Sequence, residues 1–177
     1  MQQSTYEALF REYQDRIFRL ARRMLGDDAL AQDVVQEVHI KCWKNRDGLA
    51  GMSNGGAWLM RVTKNLCIDK IRARKQTTEL DAVAYAAPSG GPTPYQTAEV
   101  QNMMQILRKA LDTLPEKQKM IFHLREIEGL QYKEIAEVLD VSVDEVKVNL
   151  FRARNKIRET LINTSNYGLS SSHTGAS

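Results

Sequence analysis

Two stretches with helical apolar spacing flank a segment that has no period at all, and this interruption limits the chain to two small helical bodies rather than one core. The interrupting segment, residues 76–98, holds Pro88, Gly90, Gly91, Pro92 and Pro94. Prolines and glycines at that density break both helix and strand, so the segment reads as a flexible linker. Fully extended, it reaches up to about 75–80 Å, roughly two turns of duplex DNA.

Before the linker, Tyr6, Leu9, Phe10, Tyr13, Ile17, Leu20, Ala21 and Met24 recur at three–four spacing and predict an amphipathic helix that Gly26 stops. Asp27 or Asp28 can cap the next helix, which carries Val34, Val35, Val38 and Cys42. A glycine-rich loop is expected from Asp47 to Gly56, followed by a helix from about Ala57 to Arg74. Leu59, Val62, Leu66 and Ile71 are its expected inner stripe.

After the linker, Val100, Met103, Leu107, Ala110 and Leu114 form one stripe, and Pro115 suits the first position of a new helix. Ile121, Leu124 and Ile127 continue that helix to Gly129. A short helix at about Tyr132–Leu139 turns Ile135, Ala136 and Leu139 inward. Asp140-Val141-Ser142 then makes a tight turn, and Ser142 with Glu145 has capping-box spacing. The last helix, with Val143, Val146, Leu150, Ala153, Ile157 and Leu161 inward, is expected to end near Leu161, before a disordered tail at 163–177.

A short helix, a tight turn and a longer basic helix make a helix-turn-helix. Opposite its apolar stripe the last helix presents Asp144, Val148, Phe151, Arg152 and Asn155, flanked by Lys147, Arg154 and Lys156. Phe151 on that face either meets a partner, such as a thymine methyl group, or packs on the preceding helix. The net charge of +3 is unevenly spread. Arg61, Lys64, Lys70, Arg72, Arg74 and Lys75 stand against Asp69 alone, and Lys147, Arg152, Arg154, Lys156 and Arg158 form a second cluster. Two such clusters in separate helical segments point to phosphate binding.

Other classes find little support. No apolar run reaches the length of a membrane span, and the N-terminus lacks the pattern of a secretory signal. Cys42 and Cys67 are too few for a disulfide framework and lack metal-ligand spacing, so a cytoplasmic protein with free, buried thiols is expected. A metal nuclease using Asp27, Asp28, Asp33 and Glu37 is a remote alternative, since carboxylates in the first turns of a helix more often serve as caps. A free-standing helix-turn-helix regulator fits the second half and leaves the first 75 residues unexplained.

Taken together, the motifs resemble those of the bacterial extracytoplasmic-function (ECF) sigma factors, subunits that direct RNA polymerase to promoters. Gly26-Asp27 through Asp33-Val34-Val35-Gln36-Glu37-Val38 is similar to the family's polymerase-binding helix. Trp58-Leu59-Met60-Arg61-Val62 with Asn65, Asp69 and Arg72 is similar to its promoter −10 helix. Leu114-Pro115-Glu116-Lys117-Gln118 is similar to the start of its C-terminal domain. Tyr132-Lys133-Glu134-Ile135-Ala136 and Leu150-Phe151-Arg152-Ala153-Arg154 are similar to its −35 reader. Departures are few: Asp144 and Glu145 replace a more usual threonine and small residue, Gln32 an acid, and His39 a bulky residue.

The resemblance implies an all-α chain: a sigma2-like bundle at 1–75, a linker at 76–98, a sigma4-like helix-turn-helix domain at 99–162 and the tail. Asp33, Gln36 and Glu37 would bind the clamp helices of the polymerase β′ subunit. Ser53, Asn54, Trp58, Arg61, Lys64, Asn65, Arg72 and Lys75 would hold the melted −10 element, with an unstacked base caught at the glycine-rich loop. Trp58 is then a DNA wedge, where its residue type alone reads as core. Lys147, Val148, Phe151, Arg152, Arg154, Asn155 and Lys156 would read the duplex −35 element, with the β flap nearby. Glu79, Asp81 and Glu99 would mimic nucleic acid in the RNA exit channel. An anti-sigma factor is the further partner implied, and no catalytic residue, metal or cofactor is expected.

Overall fold

The computed structural model describes residues 3–78 and 98–170. Residues 79–97, most of the expected linker, and 171–177 lie outside the described residues. The described residues are helical with no strand, in the order α1 (Gln3–Leu25), α2 (Asp28–Lys44), α3 (Arg46–Ala50), α4 (Gly55–Thr78), α5 (Ala98–Asp112), α6 (Glu116–Phe122), a π-turn (His123–Ile127), α7 (Tyr132–Leu139) and α8 (Val143–Ser170). They form two compact units, one built on α1–α4 and the other on α5–α8.

In the first unit α1 buries Tyr6, Phe10, Ile17, Leu20, Ala21 and Leu25 against α2 and α4. Gly26, at φ 67°, ends α1 in the left-handed conformation, with its N–H on the Arg22 carbonyl at 2.8 Å. Asp27 then caps α2, its carboxylate accepting from the Leu30 N–H at 2.9 Å. Between α1 and α2, His39 fills the place of a bulky residue by stacking on Phe10, ring centroids 4.4 Å apart.

The expected glycine-rich loop is shorter than the sequence reading placed it. Arg46–Ala50 makes the short helix α3, and Leu49 anchors it in the core. Helix α4 starts at Gly55, two residues early, because the Asn54 side chain caps it by accepting from the Ala57 N–H at 3.0 Å. Gly56 serves close packing: a methyl group there would overlap the Tyr13 phenol of α1.

The expected inner stripe of α4 is corrected by about a quarter turn. Leu59 is fully buried, but its partners are Met60, Thr63 and Cys67, all at 0% exposure. Val62, Leu66 and Ile71 are only half-buried. Thr63 reads as polar in the sequence, yet its hydroxyl donates to the Leu59 carbonyl at 2.8 Å, so it enters the core with its polar atom satisfied. Both cysteines are free and buried. Burial pushes the Cys67 thiol up to about 12 and raises Cys42 as well.

The second unit is held by Ala110, Leu114, Ala153 and Ile157, with Leu107, Leu111, Phe122 and Leu161 packed around them. Two expectations are corrected here. The α5 stripe is covered only from Leu107 onward, and Val100 and Met103 stay about half exposed. After α6, the π-turn inserts one extra residue into the helical repeat. The phase slips, so Leu124 is buried, Ile127 faces outward, and Glu128 takes the inside position at 2% exposure. His123 Nε2 lies 3.2 Å from Glu128 Oε1, close enough for an ion pair but without hydrogen-bond alignment.

α8 also runs past Leu161 to Ser170, into the segment expected as a disordered tail. Extending an established helix fixes one residue per added hydrogen bond, so it proceeds where a new helix would not start. Thr160 and Thr164 add side-chain bonds to the carbonyls of Lys156 and Thr160.

Gly56→Ala is expected to cost about 1–3 kcal/mol by overpacking the α1–α4 seam. Gly51→Ala, where the nearest atom is 3.9 Å from the added carbon, is expected to stay within about 0.5 kcal/mol; urea melts of both check the pair. A second expectation concerns alkaline pH. Above about pH 9 an unfolded thiol ionises while the folded Cys67 thiol stays neutral, so stability falls as pH rises toward 12. Denaturation midpoints between pH 8 and 11 should show that fall, with a shallower one in Cys67→Ala.

Candidate nucleic-acid interface

The helix-turn-helix is set by its turn. Asp140, at φ 57°, takes the left-handed conformation that Asp tolerates better than most residues, and Val141 N–H returns to the Ala136 carbonyl at 3.1 Å. Ser142 Oγ accepts from the Glu145 N–H at 3.1 Å, which is half of the expected capping box. The Glu145 carboxylate turns instead to Lys117 of α6. At the start of α7 the other half of such a box is present: Glu134 accepts from the Gln131 N–H at 2.7 Å.

With Val146, Leu150, Ala153 and Ile157 buried, α8 shows Lys147, Val148, Phe151, Arg152, Arg154 and Lys156 to solvent, and Asn155 half-buried. Phe151 is 65% exposed, so it does not pack against the preceding helix. Val148 beside it makes a small apolar patch among basic groups. That combination suits base-edge contact flanked by phosphate contact. Two of the expected contact residues are engaged inside the unit. Lys147 reaches Asp144 at 3.3 Å. Arg154 binds Glu126 through Nε at 3.0 Å and through its terminal nitrogen, and that hydrogen bonding raises its pKa.

On α4, Arg61, Asn65, Arg72 and Lys75 are exposed, Lys64 is half-buried and Ser53 is exposed in the turn before the helix. Asn54 is committed to its capping bond. Trp58 is half-buried, neither a closed core residue nor a free wedge. It forms a wall of a cleft of about 310 Å³ between the end of α2 and α4, with Val62 and Leu66 as apolar lining.

The outer face of α2 carries Asp33 and Gln36, both exposed. Glu37, expected beside them, is half-buried and bound to Lys70 of α4 at 2.6 Å. Ile40 and Trp43, 52% and 49% exposed, continue that face and were missed in the sequence reading. Their signal was present: two large apolar residues at i+4 and i+7 from Gln36, outside the buried stripe. Arg46 covers part of the Trp43 ring at 5.1 Å. Among the described residues no group of His, Cys, Asp and Glu is placed to hold a metal ion, and no helix is long and apolar enough to cross a membrane.

Comparison with known proteins divides the chain in the same two places. Residues 9–77 match the model of Sigma-70 region 2, and residues 104–157 match Sigma-70, region 4. Over 160 residues the chain is 31% identical to the ECF RNA polymerase sigma factor SigE of Mycolicibacterium smegmatis, covering 89% of this chain and 62% of that protein. It is 30% identical over 158 residues to the ECF sigma factor SigW of Bacillus subtilis, covering 84% of each. In fold it is similar to the sigma factor RpoE of Bartonella quintana, solved in complex with the anti-sigma factor NepR. The TM-score is 0.73 at 24% identity, over 88% of this chain and 96% of that one.

The two neighbouring arginines of α8 separate folding from recognition. Arg154→Ala is expected to lower stability by on the order of 0.5–1 kcal/mol through the lost Glu126 pair. Arg152→Ala is expected to leave stability within about 0.5 kcal/mol while weakening DNA binding and reducing its salt slope by about one. Thermal melts and salt-dependent DNA titrations of the two variants test this.

Proposed function

The chain belongs to the extracytoplasmic-function family of RNA polymerase sigma factors, and from that premise we propose how its surfaces divide the work of initiation. The α2 face of Asp33, Gln36, Ile40 and Trp43 binds the clamp helices of the polymerase β′ subunit. Charge at one end of that face and exposed apolar area at the other fit a protein partner better than DNA, whose phosphates Asp33 would repel. Glu37 contributes at second hand, through its bond to Lys70.

The observation that carries the reading is the pair of DNA-suited faces, one in each unit. On α4, Arg61, Lys64, Arg72 and Lys75 supply charge for the backbone of the opened −10 strand. Asn65 offers its amide to a base edge, and Trp58 gives an unstacked base a flat surface. Holding bases out of the stack favours the melted state, so strand opening is driven by binding alone, with no covalent chemistry by this chain. On α8, Val148 and Phe151 meet base edges of the −35 duplex and Lys147, Arg152 and Lys156 meet phosphates. Residues 1–75 and 99–162 are the two promoter-binding domains, and 76–98 lets them reach separate elements.

The C-terminal unit also meets the β flap, and the protein works in the cytoplasm. An anti-sigma factor covers these faces when the protein is inactive. Support for that partner comes from the relative from Bartonella quintana, which was solved with one.

Adding the protein to sigma-free core polymerase and mapping RNA 5′ ends on host genomic DNA tests the proposal. Discrete starts that require the protein are expected, and aligned upstream sequences then give both elements. Sequence-specific duplex binding without any starts would favour a free-standing regulator. Trp43→Ala is expected to weaken binding to core polymerase by about ten-fold or more, as buried aromatic anchors do, without changing affinity for −35 duplex. Fluorescence titration of core enzyme reads it.

A further inference from the structure

We propose that Asp144, in the first turn of α8, selects a cytosine in the −35 duplex; this rests on reading α8 as the −35 helix and adds a specificity-determining residue to it. At about 100° per residue, Asp144 falls about 20° from Phe151 and Asn155 and about 40° from Val148. It therefore stands in the middle of the face opposite the buried Val146, Leu150, Ala153 and Ile157. The N-terminal part of a recognition helix approaches base edges, and Asp144 is the second residue of α8. Its side chain is 90% exposed.

The helix start does not require this carboxylate. Ser142 already caps the Glu145 N–H, and Glu145 supplies a second acid in the same turn to meet the helix dipole. The two neighbouring acids have different partners. Glu145 is bound to Lys117 of α6, inside the unit. Asp144 stays on the reading face, with Lys147 beside it at 3.3 Å. A carboxylate on a face turned to DNA is repelled by phosphates and weakens binding, unless a base donates hydrogen bonds to it. Lys147 offsets part of that repulsion.

Base chemistry decides which edge Asp144 can meet. A carboxylate only accepts hydrogen bonds. In the major groove guanine presents two acceptors, and thymine presents an acceptor and a methyl group. Adenine sets its N7 acceptor beside its amino group, where it repels a carboxylate. Cytosine alone offers an amino donor with no acceptor of its own beside it. Asparagine differs from aspartate in carrying both a donor and an acceptor, a pattern that matches adenine.

The test uses holoenzyme assembled from the full chain and core polymerase. Its probes are duplexes carrying one −35 element from the mapped starts, with each of the four base pairs in turn at each position. Wild-type holoenzyme is expected to prefer cytosine at one position by about five-fold or more. Asp144→Ala should erase that preference and keep those at the other positions. Asp144→Asn should move the preference at the same position to adenine, an outcome that a purely structural role of Asp144 does not produce. Base preferences that survive unchanged in both variants, or equal weakening of every duplex by Asp144→Ala, would overturn the assignment and leave the sigma-factor reading intact. Wild-type holoenzyme with no base preference at any −35 position would overturn the reading of α8 and the assignment with it.

Discussion

The rotation of α4 about its own axis decides what the first unit can do, and small side chains set that rotation. Gly56 lets the helix start against the Tyr13 ring, where even a methyl group would overlap. Thr63 and Cys67 follow on the same side, fully buried, the first with its hydroxyl returned to its own helix and the second as a neutral thiol. Because these residues face inward, Val62 and Leu66 are left half-buried at a cleft, and Arg61, Asn65 and Arg72 are turned to solvent. Had the larger aliphatic residues taken the interior, the cleft would have no apolar lining.

The second unit reaches a comparable result by a slip in phase. The π-turn costs regular helical hydrogen bonding over five residues. In return it places Glu128 inside beside His123 and sets Gly129, at φ 70°, to lead the chain into α7. Arg125 stabilises that passage with a 2.8 Å bond to the Leu130 carbonyl and a cation–π contact on Tyr132. Asp140 and Ser142 then set the start of α8, whose inner stripe is anchored by Ala153 and Ile157. Val148 and Phe151 are exposed as a consequence of that anchoring.

Several polar residues that sequence patterns assign to recognition also make bonds within the fold. Asn54 caps α4, Glu37 ties α2 to Lys70, and Arg154 ties α8 to Glu126. Residue type and helical phase cannot separate these uses, because a cap, a cross-helix pair and a phosphate contact all require an exposed or half-exposed polar group. Only the partner distinguishes them, and the partner is distant in sequence for Glu37 and Arg154. Ile40 and Trp43 are the reverse case, apolar residues that lie about half exposed on α2.

Periodicity, capping residues and breakers were enough to predict an all-helical chain, the places of its longer helices, a cap at Asp27 or Asp28 and the helix-turn-helix with Phe151 opposite its apolar stripe, since these depend on neighbours within a few residues. The order of the motifs carried the family, and with it the two DNA-suited helices. Tertiary packing alone decided the phase of α4, the burial of Glu128 in place of Ile127, the exposed start of the α5 stripe, and the cleft formed by Trp58 with Lys41 and Lys44. Each of these depends on how closely two helices approach and which side chains fit between them, a matter of shape across the fold that local spacing does not encode.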